Sequence, residues 1–170
     1  DAADGPLGRN HPRARVRPVL HAARLESGGS AFINTKLRNV TFEEGTTRIA
    51  DWLFSHCASL RKIVIPDTVT VIEEYAFYGC EKLGSIVFPD SLITIEKYAF
   101  KGSAFLQSLV LPANLQTIGE EAFGGCSWLA SVFLPDTVTE IGRAAFAGTD
   151  LSQVRLPRQL VTMGGGVFGG

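Results

Sequence analysis

A leucine returns every 22 or 23 residues, at Leu37, Leu60, Leu83, Leu106, Leu129 and Leu151, and it brings similar neighbours each time. No unit this short buries its own apolar side chains. The compact arrangement open to such a chain is a column of coils in which each unit covers the next, so that stability is close to a sum of nearest-neighbour interfaces.

Counted from its leucine, each unit opens on six residues that read as a short strand: LRNVTF, LRKIVI, LGSIVF, LQSLVL, LASVFL and LSQVRL. Alternation points positions 4 and 6 inward and positions 3 and 5 outward. Proline follows at position 7 in five units, as Pro66, Pro89, Pro112, Pro135 and Pro157, and ends the strand because it has no N–H to give. Asp67, Asp90 and Asp136 come next, where a carboxylate suits a turn by accepting a local backbone N–H. Position 10 (Val69, Leu92, Leu115, Val138, Leu160) and position 13 (Ile49, Ile72, Ile95, Ile118, Ile141, Met163) return to the interior.

The unit closes on a phenylalanine at position 18, as Phe54, Phe77, Phe100, Phe123, Phe146 and Phe168. Four of these follow an alanine, which lets coils approach, and a spine of offset rings is expected. The Ala-Phe segment is too short for a long helix and reads as one helical or 3₁₀ turn. Cys57, Cys80 and Cys126 share position 21 with Ser103 and Thr149, a place for a small buried side chain. Free thiols are the favoured reading. A Cys57 to Cys80 disulfide between adjacent coils is the alternative, while the lack of CxxC or HxxxH spacing argues against a metal beside His56.

Residues 1–14, rich in Gly, Pro, Arg and His, read as a flexible tail, and Arg9, Arg13, Arg15 and Arg17, which run past its end, form a small basic cluster. Residues 15–36 read as a degenerate N-terminal repeat or cap, in which Val19 and Leu20 resemble a strand and Ala31 to Leu37 aligns with Ala145 to Leu151. Residues 37–170 form the array of six units, the last incomplete. Its glycine-rich, uncapped end suggests a piece of a longer chain.

A formal charge of −1 predicts no general attraction to nucleic acid, and no run nears the ~18 apolar residues of a membrane helix. Gly164, Gly166 and Gly169 spell GxGxxG, but no βαβ unit surrounds them, so no dinucleotide site is assigned. GxSxG, HExxH and GxxxxGK[ST] are absent, and His11, His21 and His56 are scattered; no catalytic residue, cofactor or metal is assigned. Asn39-Val40-Thr41 is a glycosylation triplet of the kind that arises often by chance.

The unit LxxIxIPDxVxxIxxxAFxxC resembles the BspA-like class of leucine-rich repeat, found in bacterial surface proteins and in several protists. The resemblance is strong over 37–170 and weak over 15–36, and the first unit departs from it with Glu43-Glu44 in place of Pro-Asp. It implies an α/β fold: a right-handed solenoid with a parallel β-sheet on one face and short helical or 3₁₀ turns opposite. It also implies a noncatalytic protein-interaction module at the cell surface or outside the cell. An intracellular, cytoplasmic scaffold and a repeat appendage of a longer enzyme are the alternatives.

The expected partner is a protein, met on the outward face of the sheet. There position 5 reads Val64, Val87, Val110 and Phe133 along four coils, beside Lys62, Ser85, Ser108 and Ser131 at position 3. Strands ~4.8 Å apart would line these up as an apolar stripe beside a hydroxyl row. β-Branched residues also simply suit strands, but four in succession facing solvent make a patch of the kind soluble proteins limit. Glu73, Glu74, Glu96, Glu120 and Glu121 at positions 14 to 16 read as a solvated edge.

Overall fold

In the computed structural model, which describes residues 19–20, 31–42 and 45–170, each inner coil carries two short strands where the repeat pattern had suggested one. The first strand lies at positions 3 to 5: β4 (Lys62–Val64), β6 (Ser85–Val87), β8 (Ser108–Val110) and β10 (Ser131–Phe133). Shorter counterparts precede it, β1 (Val19–Leu20) and β2 (Thr41–Phe42), paired in parallel with each other. Proline then closes a turn, in which the Val69 N–H donates to the Pro66 carbonyl at 3.1 Å and Leu92 to Pro89 at 3.2 Å.

Beyond that turn the chain extends again at positions 12 and 13. Here Val71-Ile72, Thr94-Ile95 and Thr117-Ile118 offer successive β-branched residues, whose stiff side chains fit a pleated surface. The resulting strands are β3 (Arg48–Ile49), β5 (Val71–Ile72), β7 (Thr94–Ile95), β9 (Thr117–Ile118), β11 (Glu140–Ile141) and β12 (Thr162–Met163). They form one continuous six-stranded parallel sheet. The front strands instead pair two by two, β1 with β2, β4 with β6 and β8 with β10. The expected single sheet on one face is therefore corrected to a continuous second sheet and a front face built from strand pairs.

The expected helical or 3₁₀ turns are replaced by non-helical turns among the described residues. The backbone dihedrals explain this. Position 16 is left-handed in Trp52, Tyr75, Tyr98, Glu121 and Ala144, with φ from 47° to 59°, and position 20 is left-handed in His56, Gly79 and Gly102. A right-handed helix does not pass through such residues. The N–H groups instead alternate: Trp52, Phe54 and His56 donate to the next coil's Glu74, Ala76 and Tyr78 carbonyls at 3.0, 2.8 and 2.6 Å. Between them, Leu53, Ser55 and Cys57 donate within their own coil to residues three back. Half of the segment's donors thus bind coil to coil. The left-handed cost of roughly 1–2 kcal/mol per residue is offset at Trp52, Tyr75 and Tyr98 by rings stacked at 4.0 and 4.8 Å.

The core is the predicted column. Phe54, Phe77, Phe100, Phe123 and Phe146 are fully buried, and successive rings lie nearly parallel at 5.0 to 5.3 Å. Phe32 continues the stack onto Phe54 at 5.7 Å, and Phe168 onto Phe146 at 5.8 Å. Leu at position 1, Leu or Val at position 10 and Ile at position 13 fill the space around the spine in the inner coils. In the last coil, however, Met163 is 50% exposed and Phe168 40%, because no further coil among the described residues covers them. Their expected inward placement is corrected accordingly.

Asp136 works differently from the expected local turn, and Asp67 and Asp90 make no carboxylate bond to a local N–H among the described residues. The Asp136 carboxylate accepts the Arg158 N–H of the following coil at 3.1 Å and pairs with Arg155 at 2.8 Å. The neighbouring hydroxyls reach back one coil, Thr68 to the Thr46 carbonyl at 2.6 Å and Ser91 to that of Val69 at 2.7 Å. The basic cluster at 9–17, His11, His21 and the Glu43-Glu44 departure lie outside the described residues.

Candidate interaction surface

Alternation on the front strands turns position 4 into the core and leaves positions 3 and 5 to solvent. Ile63 and Leu109 are buried, while Val64, Val87, Val110 and Phe133 are 51, 48, 76 and 55% exposed. Lys62, Ser85, Ser108 and Ser131 are exposed beside them. Register places Val64 opposite Val87 and Lys62 opposite Ser85, then Val110 opposite Phe133 and Ser108 opposite Ser131. The stripe therefore comes in two paired halves.

Each half borders a shallow depression. One, of about 510 Å³, lies between Thr41, Phe42, Lys62 and Val64; the other, of about 550 Å³, lies between Phe88, Val110, Phe133 and Arg155. Two ion pairs from Asp136, to Arg155 and Arg158, rim the second depression. Its walls thus combine apolar side chains with the charged Asp90, Asp136 and Arg155.

A second exposed feature has no counterpart among the residues assigned from the repeat. Phe105 and Trp128, each immediately before a unit's leucine, stack at 4.8 Å and 19° while remaining 45% and 53% exposed. Two large aromatics in successive units at one position were the available signal. It went unused because the motif leaves that position undefined.

The glutamate edge is not simply solvated. Glu73 accepts the Asp51 N–H at 3.0 Å and pairs with Arg48 at 2.8 Å; Glu96 accepts the Glu74 N–H at 3.2 Å. Glu74 pairs with Lys97 at 3.0 Å, Glu120 with Arg143 at 3.9 Å, and Glu121 with Lys101. These carboxylates tie coils together, Glu73 and Glu96 by accepting backbone donors of the preceding coil and the others by ion pairs. Burial, and next the Glu73 charge, push the Glu96 carboxyl above the usual range.

The cysteines are free and buried, as favoured. Cys57, Cys80 and Cys126 donate to the carbonyls of Phe32, Phe54 and Phe100, the preceding spine residues, at 3.1, 3.2 and 3.4 Å. Ser103 makes the same bond to Phe77 at 3.3 Å, so position 21 calls for a small donor. Burial raises all three thiols, Cys126 to about 12. His56 packs edge-on against Tyr78 at 5.2 Å. Gly164 fits against the backbone of Arg143, where a Cβ would lie 2.4 Å from its nitrogen, and Gly166 takes φ +65°. Both glycines thus have structural work in the coil.

Solved structures that share this architecture include the following three. The T. pallidum leucine-rich repeat protein is 35% identical with a TM-score of 0.68, over 76% of this chain and 70% of that one. A leucine-rich cell surface protein of Faecalibacterium prausnitzii is 32% identical with a TM-score of 0.74, over 81% of this chain and 38% of its own. The pneumococcal vaccine antigen PcpA is 28% identical with a TM-score of 0.65, over 75% and 34%. The chain thus spans about a third of the length of the latter two. No curated protein matches it. The BspA type leucine rich repeat region matches residues 25–61 and 47–170 in six copies. With its repeat, its phenylalanine spine and these likenesses in agreement, the chain belongs to the BspA-type leucine-rich repeat family.

Proposed function

We propose that the array is a noncatalytic recognition module, displayed at a cell surface, that takes a protein ligand on its front face. The observation that carries this reading is the row of Val64, Val87, Val110 and Phe133, each about half exposed or more on rigid strands. Water is poorly satisfied there, so a complementary apolar surface gains by covering the row. Lys62, Ser85, Ser108 and Ser131 supply the polar contacts that fix orientation. The surface setting is supported by the likeness to a cell surface protein of F. prausnitzii and to a pneumococcal vaccine antigen.

The test compares the parent with a Val87→Glu, Val110→Glu double variant on a panel of immobilised matrix and cell-surface proteins. Both side chains point to solvent, so circular dichroism and melting should stay close to the parent. The strongest interaction of the parent should weaken at least about tenfold, since two charges would be desolvated on docking. Undiminished binding by the folded variant moves the site off this face.

A further inference from the structure

The Phe105–Trp128 stack is not required by the coil. Its place is held by Ser59 and Lys82 in earlier units and by Asp150 in the next, and both rings stand outside the buried core. Exposing two large aromatics without a packing role invites a ligand. Phe105, on the preceding coil, covers one face of the Trp128 indole. The indole remains 53% exposed, and on the following coil Asp150 stands immediately before Leu151. Between them opens a depression of about 530 Å³ lined by Gln107, Ser127, Trp128, Ala130 and Asp150.

Asp150 is exposed, and its carboxylate makes no hydrogen bond or ion pair among the described residues. Asp136, by contrast, is held by both Arg155 and Arg158. A carboxylate, a half-exposed indole, an amide and a hydroxyl thus border one space. We infer that this depression receives an arginine side chain of the protein ligand, a specificity that rests on the recognition reading above. A guanidinium lies flat on an indole, the best ring for a cation. Its planar fork also directs N–H donors at a neighbouring carboxylate, and a further one reaches the Gln107 amide oxygen or the Ser127 hydroxyl. A lysine ammonium would use the charge but not the flat face.

The protein has two tryptophans, so a ¹⁵N spectrum shows two indole N–H signals, which a Trp52→Phe variant assigns. The probe is N-acetyl-argininamide at low salt, with the neutral N-acetyl-citrullinamide and maltose as comparisons. Arginine should move the Trp128 signal along a saturable curve and leave Trp52 still. Citrulline, and the Asp150→Asn variant with arginine, should each bind at least about fivefold more weakly. Asp150 is exposed and unpaired among the described residues, so that variant should melt like the parent. An unmoved Trp128 signal, equal binding of citrulline, an unaffected Asp150→Asn variant, or a response to maltose alone would each overturn the assignment. Because the probe is a single amino acid, its result is separate from that of the front-face double variant: a silent Trp128 beside a lost protein interaction rejects only the arginine site.

Discussion

Phe100→Ala tests the column where it is most enclosed. Its ring is fully buried, with Phe77 5.0 Å away on one face, Phe123 5.3 Å away on the other, and Phe88 edge-on at 5.8 Å. Losing the burial of a phenylalanine costs roughly 1.5–3 kcal/mol, and each lost ring contact adds about 0.5–1.5 kcal/mol. With three ring contacts the sum runs from about 3 to 7.5 kcal/mol, and the expected loss is the ~3–5 kcal/mol usual for Phe to Ala in a core that cannot collapse, in the lower half of that range. Collapse is hindered because the coils on both sides are pinned by cross-coil hydrogen bonds, among them Phe77 to the Ala99 carbonyl at 2.7 Å and Phe100 to that of Ala122 at 2.8 Å. Phe168, 40% exposed, stacks only on Phe146, at 5.8 Å. Its replacement by Ala removes a smaller burial and one ring contact and leaves no closed cavity, for about 1.5–3 kcal/mol. Urea denaturation followed by circular dichroism measures both. A loss at Phe100 no larger than that at Phe168 would refute stacking as the source of stability.

Two further outcomes follow from ionisable groups. Burial raises all three cysteines, Cys126 to about 12, so none should react with Ellman's reagent at about pH 8 in the folded protein, and all three should react in guanidinium. Prompt reaction of a native thiol, or a Cys57 to Cys80 crosslink by mass spectrometry, would contradict this. For Glu96 the sign runs against the usual carboxylate: its folded pKa is raised, so the fold favours the protonated form and loses stability as pH climbs from the ordinary carboxylate range through the raised value. Glu96→Gln keeps an oxygen for the Glu74 N–H without the charge, and it should melt above the parent at about pH 7 with the advantage gone by about pH 4. A gap that is the same at both pH values would remove desolvation as its cause.

Much of the architecture was legible in the spacing of a few residue types. The leucine period, the proline at position 7 and the phenylalanine at position 18 define where a coil begins, where its first strand stops and what its centre contains. A unit of 23 residues has no other way to hide those side chains. Positions 3 and 5 were placed outward by alternation alone, and the exposure of Val64, Val110 and Phe133 follows from it.

What only the folded column decided are relations between coils, which no single unit contains. Whether a segment becomes helix or turn depended on carbonyls one coil away: Trp52, Phe54 and His56 give their N–H groups to Glu74, Ala76 and Tyr78, and the left-handed dihedrals serve that geometry. The second sheet arose in the same way, since two residues such as Thr94-Ile95 are no strand until Val71-Ile72 and Thr117-Ile118 lie beside them. The placing of the half-exposed Trp128 and Asp150 on one depression is another such relation, because those residues are 22 apart in sequence and meet only when one coil stacks on the next. Local pattern determines what each residue prefers; the stacking determines what it finds.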